Sequence, residues 1–136
     1  MSGGVHDCVG AVLVRNGKLL LGRRSAAREW LPGAWDVFGG HIEPDENAET
    51  ALIRELREEL GIAPSSMRWL GELSGATPDS WRLRLYAVTV WTGEPRNLQP
   101  REHDELRWCS LSEAESKLGD AHPEFPRLLR AAIAAE

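Results

Sequence analysis

The chain has only two cysteines in 136 residues, Cys8 and Cys109. They stand far apart and match no zinc-ligand spacing, so no disulfide framework or zinc knuckle is expected, and the compartment is expected to be reducing. No apolar run approaches the roughly 20 residues of a membrane span. The opening residues, Met1 to Asp7, have neither the basic flank nor the apolar core of a secretion signal. Basic excess is missing too: 16 Lys and Arg against 21 Asp and Glu give a net charge of −5. General affinity for a nucleic-acid backbone needs cationic side chains against the phosphates, so a nucleic-acid polymer is not an expected partner. A single nucleotide, whose charge metal ions can meet, stays open. Repeats, low-complexity tracts and linkers are absent as well. The expectation is one domain over residues 1–136, cytoplasmic and away from membranes.

What is present reads as an ordinary globular chain, 42% hydrophobic and 27% charged. At this length roughly two thirds of the unfolded surface can be buried. Apolar runs at Val9–Val14 and Leu19–Leu21 flank Asn16-Gly17, the strongest short-range hairpin signal. Trp35–Phe38 reads as a short strand ending at Gly39-Gly40. Asn47 to Leu60 reads as a helix with a Leu52/Leu56/Leu60 core stripe and Gly61 as its stop. Met67–Leu73 and Trp81–Trp91 look like strands. In the second, Trp81, Leu83, Leu85 and Ala87 alternate with Arg82, Arg84 and Tyr86. Leu106–Cys109 is a further strand, and Ser112 with Glu115 fits a capping box opening a short helix. Phe125, Leu128, Leu129, Ala132 and Ile133 mark a last amphipathic helix opened by Pro126. Helices and mostly antiparallel strands without a βαβ repeat give an α+β or mixed α/β class.

The informative feature is acidic. Seven of the 21 acidic residues lie between Glu43 and Glu59. Glu55, Glu58 and Glu59 fall at i, i+3 and i+4, so a helical turn gathers them on one patch beside the leucine stripe. Like charges at that spacing repel by a few tenths of a kcal/mol per pair. The helix C-terminal half also favours cations over anions. A solvated face, partly neutralised by Arg54 and Arg57, is the plain interpretation of such a run. A divalent-cation site is the sharper one, because hard cations take carboxylate oxygens and leave positions for water and phosphate.

The surrounding pattern decides between them. Gly40 is followed by five residues, Glu46, seven residues, and then Arg54-Glu55-Leu56-Arg57-Glu58-Glu59-Leu60-Gly61-Ile62. This resembles the signature of the Nudix hydrolase family, G-x5-E-x7-R-E-U-x-E-E-x-G-U with U aliphatic, and fills all nine fixed positions over 23 residues. The resemblance implies an α/β fold, an α/β/α sandwich around a mixed sheet with the box as loop–helix–loop. It implies hydrolysis of a phosphoanhydride in a nucleoside diphosphate derivative with Mg²⁺ or Mn²⁺. Glu58 and Glu59 would bind metal, Glu55 would bind metal or act as base, and the Gly39 carbonyl would add a ligand. Arg54 would pair with Glu46 to hold loop against helix, a structural part shared with Gly40 and Gly61.

Trp35–Gly40 and Glu102 before Leu106-Arg107-Trp108 resemble MutT-like and CTP-pyrophosphohydrolase-like members; in MutT itself an acid near the Glu102 position joins the metal site, which would make Glu102 a ligand here. The expected substrate is then a nucleoside (deoxy)triphosphate, cleaved to monophosphate and pyrophosphate. ADP-ribose or a dinucleoside polyphosphate is the alternative substrate class, to which Pro78 would point. A non-catalytic nucleotide-binding module is the alternative of another kind. Arg23 and Arg24 are candidates for phosphate contact. Trp30 is a candidate for stacking on the base, and His122 for touching the base edge. The chain is expected as a monomer or a homodimer.

Overall fold

A computed structural model of the chain describes residues 5–29, 31–77 and 79–136. Trp30 and Pro78 lie outside the described residues. Strands β1 (His6–Arg15) and β2 (Lys18–Arg24) form the expected hairpin, with Asn16 and Gly17 at φ 52° and 71°. Two left-handed residues give the turn whose twist matches that of its strands.

β1 and β2 pair only next to the turn, from Leu13↔Leu20 to Arg15↔Lys18. Farther along, β2 swings away to pair with β3 (Trp35–Asp36) and with β9 (His103–Cys109). Strand β4 (Phe38–His41) enters the gap beside β1, with Gly10 opposite Gly39 and Val9 opposite Gly40. The other edge of β1 pairs in parallel with β7 (Trp81–Val88), from His6↔Trp81 to Leu13↔Val88. β7 in turn pairs antiparallel with β6 (Arg68–Gly75). One parallel pair among antiparallel ones makes the sheet mixed. Short strands β5 (Ala63–Pro64) and β8 (Trp91–Thr92) form a separate ribbon.

Helix α1 (Ala48–Leu60) covers one face, where Leu52, Leu56 and Leu60 bury against Val9, Ala11, Leu13, Leu20 and Phe38. Helices α2 (Leu111–Gly119) and α3 (Phe125–Ala134) cover the other, with Leu118, Phe125, Leu128 and Leu129 on Val12, Leu21, Leu85 and Ala87. The architecture is the expected α/β/α sandwich around a mixed sheet. Each fully buried leucine of the α1 stripe is worth about 2–5 kcal/mol against alanine, so the helix is fixed to the sheet.

Three local expectations are corrected. Trp35–Phe38 is not one strand: it breaks at Val37, with β3 on β2 and β4 on β1. The strand from Trp81 ends at Val88, and Trp91 belongs to the ribbon. The capping box is formed by Ser110 and Glu113, not Ser112 and Glu115. Ser110 Oγ accepts from the Glu113 N–H at 3.2 Å, and the Glu113 carboxylate accepts from the Ser110 N–H at 3.0 Å.

Candidate metal and active site

The acidic helix begins cleanly, because Asn47 Oδ1 accepts the Thr50 N–H at 2.8 Å. It ends at Gly61, whose φ of 71° is the usual left-handed stop. The carbonyls of Glu59 and Leu60, left without partners inside the helix, accept the N–H groups of Leu98 and Arg96 at 3.0 Å each. The segment leading to Glu102 is thereby tied to the helix end that carries the glutamates.

Arg54 organises the charges. Its guanidinium grips Glu46 with two bonds, Nε at 2.7 Å and Nη2 at 2.9 Å. It also donates to Glu55 Oε1 at 2.8 Å and to the His41 carbonyl at 3.1 Å, and lies 3.5 Å from Glu58 and 3.7 Å from Glu43. Glu43, exposed, flanks the cluster of charges. The two-bond grip holds the Glu46 carboxyl down at about 2 and raises Arg54 further above its already high range. One arginine thus ties the loop before the helix to the helix itself.

Glu59 is the opposite case. It is 6% exposed, and among the described residues its carboxylate accepts one hydrogen bond, from the Gly39 N–H at 2.9 Å. Burial chiefly, then the nearby Glu55 and Glu102 carboxylates, push its pKa up to about 9. Glu55 is also raised, by burial against the counter-pull of Arg54. Gly39 is there for reach: at φ 154°, a Cβ would collide with the Val9 carbonyl. At Gly40 a Cβ would lie 2.6 Å from the Glu55 carboxylate. The two glycines let strand β4 and the helix close on a common space.

Glu102 arrives from the far side. A carboxylate oxygen of Glu59, one of Glu102 and a ring nitrogen of His103 all lie within 4.8 Å of one another. With Glu59 buried and Glu102 half-buried, these two oxygen donors and one nitrogen donor fit a divalent metal ion. Sequence reasoning missed His103 and the neighbouring Asp36, whose carboxyl is raised by its burial. Adjacency to Glu102 was the one available signal for His103.

The other candidates lie apart from the cluster or at its edge. Arg24 sits 3.7 Å from Asp36, and burial lowers its pKa. Arg23 pairs with Asp104 at 2.7 Å and Glu105 at 3.7 Å, facing Trp35. His122 has both ring nitrogens engaged: Nδ1 accepts the Glu124 N–H at 3.1 Å, and Nε2 meets the Ser74 carbonyl at 3.2 Å. Its ring stands edge-on to Trp81. Trp91 and Trp108 stack on each other at 6.3 Å, which gives them packing partners.

Residues 4–131 match the family model described as the NUDIX domain. The chain belongs to the Nudix hydrolase family. Among curated Nudix relatives, the CTP pyrophosphohydrolase of Escherichia coli K12 is 38% identical over 110 residues, 79% of this chain and 78% of that protein. A putative 8-oxo-dGTP diphosphatase 2 of Mycobacterium tuberculosis H37Rv is 34% identical over 108 residues, 77% of this chain and 73% of that one. The crystal structure of a MutT Nudix hydrolase from Burkholderia pseudomallei superposes with a TM-score of 0.75 at 33% identity, covering 80% of this chain and 85% of that one. The protein is therefore a Nudix hydrolase, and Gly40 to Ile62 is its Nudix box.

Proposed function

We propose that this Nudix hydrolase cleaves a nucleoside (deoxy)triphosphate to the monophosphate and pyrophosphate, with Mg²⁺ or Mn²⁺ held by Glu55, Glu58, Glu59, Glu102 and the Gly39 carbonyl. The observation that carries the reading is Glu59, a buried carboxylate near Glu102 to which no cationic side chain is paired among the described residues. A bound divalent ion would offset the phosphate charge and acidify a bound water. The chain's own residues do the remaining work. Arg54 and Glu46 fix the box loop so that Gly39 and Gly40 stay against the helix. Glu55, locked by Arg54 and made more basic by burial, is assigned to accept the proton of the attacking water. Glu58, half exposed beside Arg54, would share the cation.

Support for a triphosphate comes from relatives named for CTP and for 8-oxo-dGTP. Arg24 and Arg23 remain the proposed phosphate contacts and Trp30 the proposed base platform. For His122, two engaged ring nitrogens favour capping of the loop before α3 over contact with the base. Neutral histidine has one donor and one acceptor, and both are spoken for. The test is Glu58→Gln in the presence of Mg²⁺. Turnover of the triphosphate should fall by orders of magnitude with unchanged circular dichroism. Unchanged turnover would remove Glu58 from the site, and the cation reading with it.

A further inference from the structure

His103 is 5% exposed, and its ring nitrogens make no hydrogen bond among the described residues. No fully buried side-chain nitrogen or oxygen among the described residues lacks a partner, so the unbonded ring nitrogens of His103 keep contact with solvent and are open to a ligand. The ring tilts against Phe38 at 5.1 Å between centroids, and Gly22 leaves it room, since a Cβ there would lie 2.8 Å from His103 Cδ2. The backbone is held independently, with the His103 N–H on the Gln99 carbonyl at 3.0 Å and the His103 carbonyl accepting from Asn97 Nδ2 at 2.8 Å. The Glu102 N–H meets the same Gln99 carbonyl at 2.9 Å. This turn brings two adjacent residues to one space, where a regular strand would send them to opposite faces.

We propose that His103 supplies a nitrogen ligand to the cation held by Glu59 and Glu102, so that this site prefers Mn²⁺ to Mg²⁺. His103 can act in this way only if the carboxylates hold a divalent ion, as proposed above. A ring nitrogen lies within 4.8 Å of a carboxylate oxygen of each glutamate, a spread that a single ion can span with small side-chain adjustments. A neutral imidazole offers a ring-nitrogen lone pair to a metal ion. Mg²⁺ takes oxygen donors and gives up its waters reluctantly, whereas the first-row transition ions accept imidazole. An all-carboxylate pocket would carry no such bias.

Electron spin-echo modulation of substoichiometric Mn²⁺ on the full chain reads the ligand directly. Wild type should show the ¹⁴N coupling of a directly bound imidazole, and His103→Asn should lose it while keeping its circular dichroism and its bound Mn²⁺. The ratio of Mg²⁺ to Mn²⁺ dissociation constants, from calorimetry, should fall by on the order of tenfold in that variant. Mn²⁺ that binds, is displaced by Glu59→Gln and shows no ¹⁴N coupling would overturn the role of His103 and leave the carboxylate site standing. Coupling that persists in His103→Asn would assign the nitrogen to another residue and overturn it equally. If Glu59→Gln does not weaken Mn²⁺ binding, both His103 and the carboxylate site are refuted.

Discussion

Replacing Glu59 by glutamine should stabilise the metal-free protein and abolish its stabilisation by metal. The folded protein holds the Glu59 carboxyl at about 9 against an ordinary value of 4.5. At about pH 7.5 the group is therefore protonated when folded and ionised when unfolded. That difference costs about 4 kcal/mol at about 1.4 kcal/mol per pH unit over about three units. The cost is absent below about pH 4.5 and grows until pH passes about 9, because a raised carboxyl loses stability as pH rises. Glutamine keeps the shape and an oxygen for the Gly39 N–H, but buries an amide of its own, so a net gain on the order of 2 kcal/mol is expected. For a chain of this size that is about 5–10 °C in Tm. In EDTA at about pH 7.5 the variant should melt above wild type, and the gap should close near pH 4.5. With Mg²⁺ near 100 times its Kd, wild type should gain about 2.7 kcal/mol while the variant gains nothing. A variant that melts below wild type in EDTA, or gains as much from Mg²⁺, would refute the account of Glu59 as an acid waiting for a cation.

The Arg54–Glu46 pair gives the opposite sign. Because the Glu46 carboxyl is held down to about 2, its contribution is present above about pH 4.5 and is lost as pH falls toward 2. Acid titration of Glu46→Gln should therefore lack part of that unfolding limb. Arg54→Ala should lower Tm and turnover together, since it frees the box loop and leaves Glu55 and Glu58 without their shared cation. Normal stability with normal activity would sink its positioning role. His122→Ala should lower Tm slightly without changing the ratio of kcat/KM between purine and pyrimidine triphosphates, the quantity that reports base discrimination. A changed ratio would put His122 at the base.

The box was legible because it is local. Gly40, Glu46, Arg54 and the three glutamates act through one loop and one helix, so spacing alone gathers their chemistry. The same holds for the Asn16-Gly17 hairpin and the leucine stripe of α1. His103 was not legible, because its convergence with Glu102 depends on the turn at Gln99 and on Leu98 and Arg96 capping a helix some forty residues earlier. The capping box failed for a different reason: Ser110 and Ser112 each have a glutamate three residues on, and tertiary packing of Leu118 and Ala114 selects the register. The break at Val37 follows from the sheet's need to exchange β2 for β4 beside β1, a long-range pairing with no mark in four residues.

These carboxylates are proposed to hold the cation of a triphosphate pyrophosphohydrolase. Incubation of the purified chain with a panel of nucleoside and deoxynucleoside triphosphates, with Mg²⁺ or with EDTA, tests it most directly when the products are resolved by ion-exchange chromatography. Monophosphate and pyrophosphate should appear in equal amounts with Mg²⁺, and neither should appear in EDTA. Intact triphosphates throughout, or diphosphate with free phosphate, would contradict it.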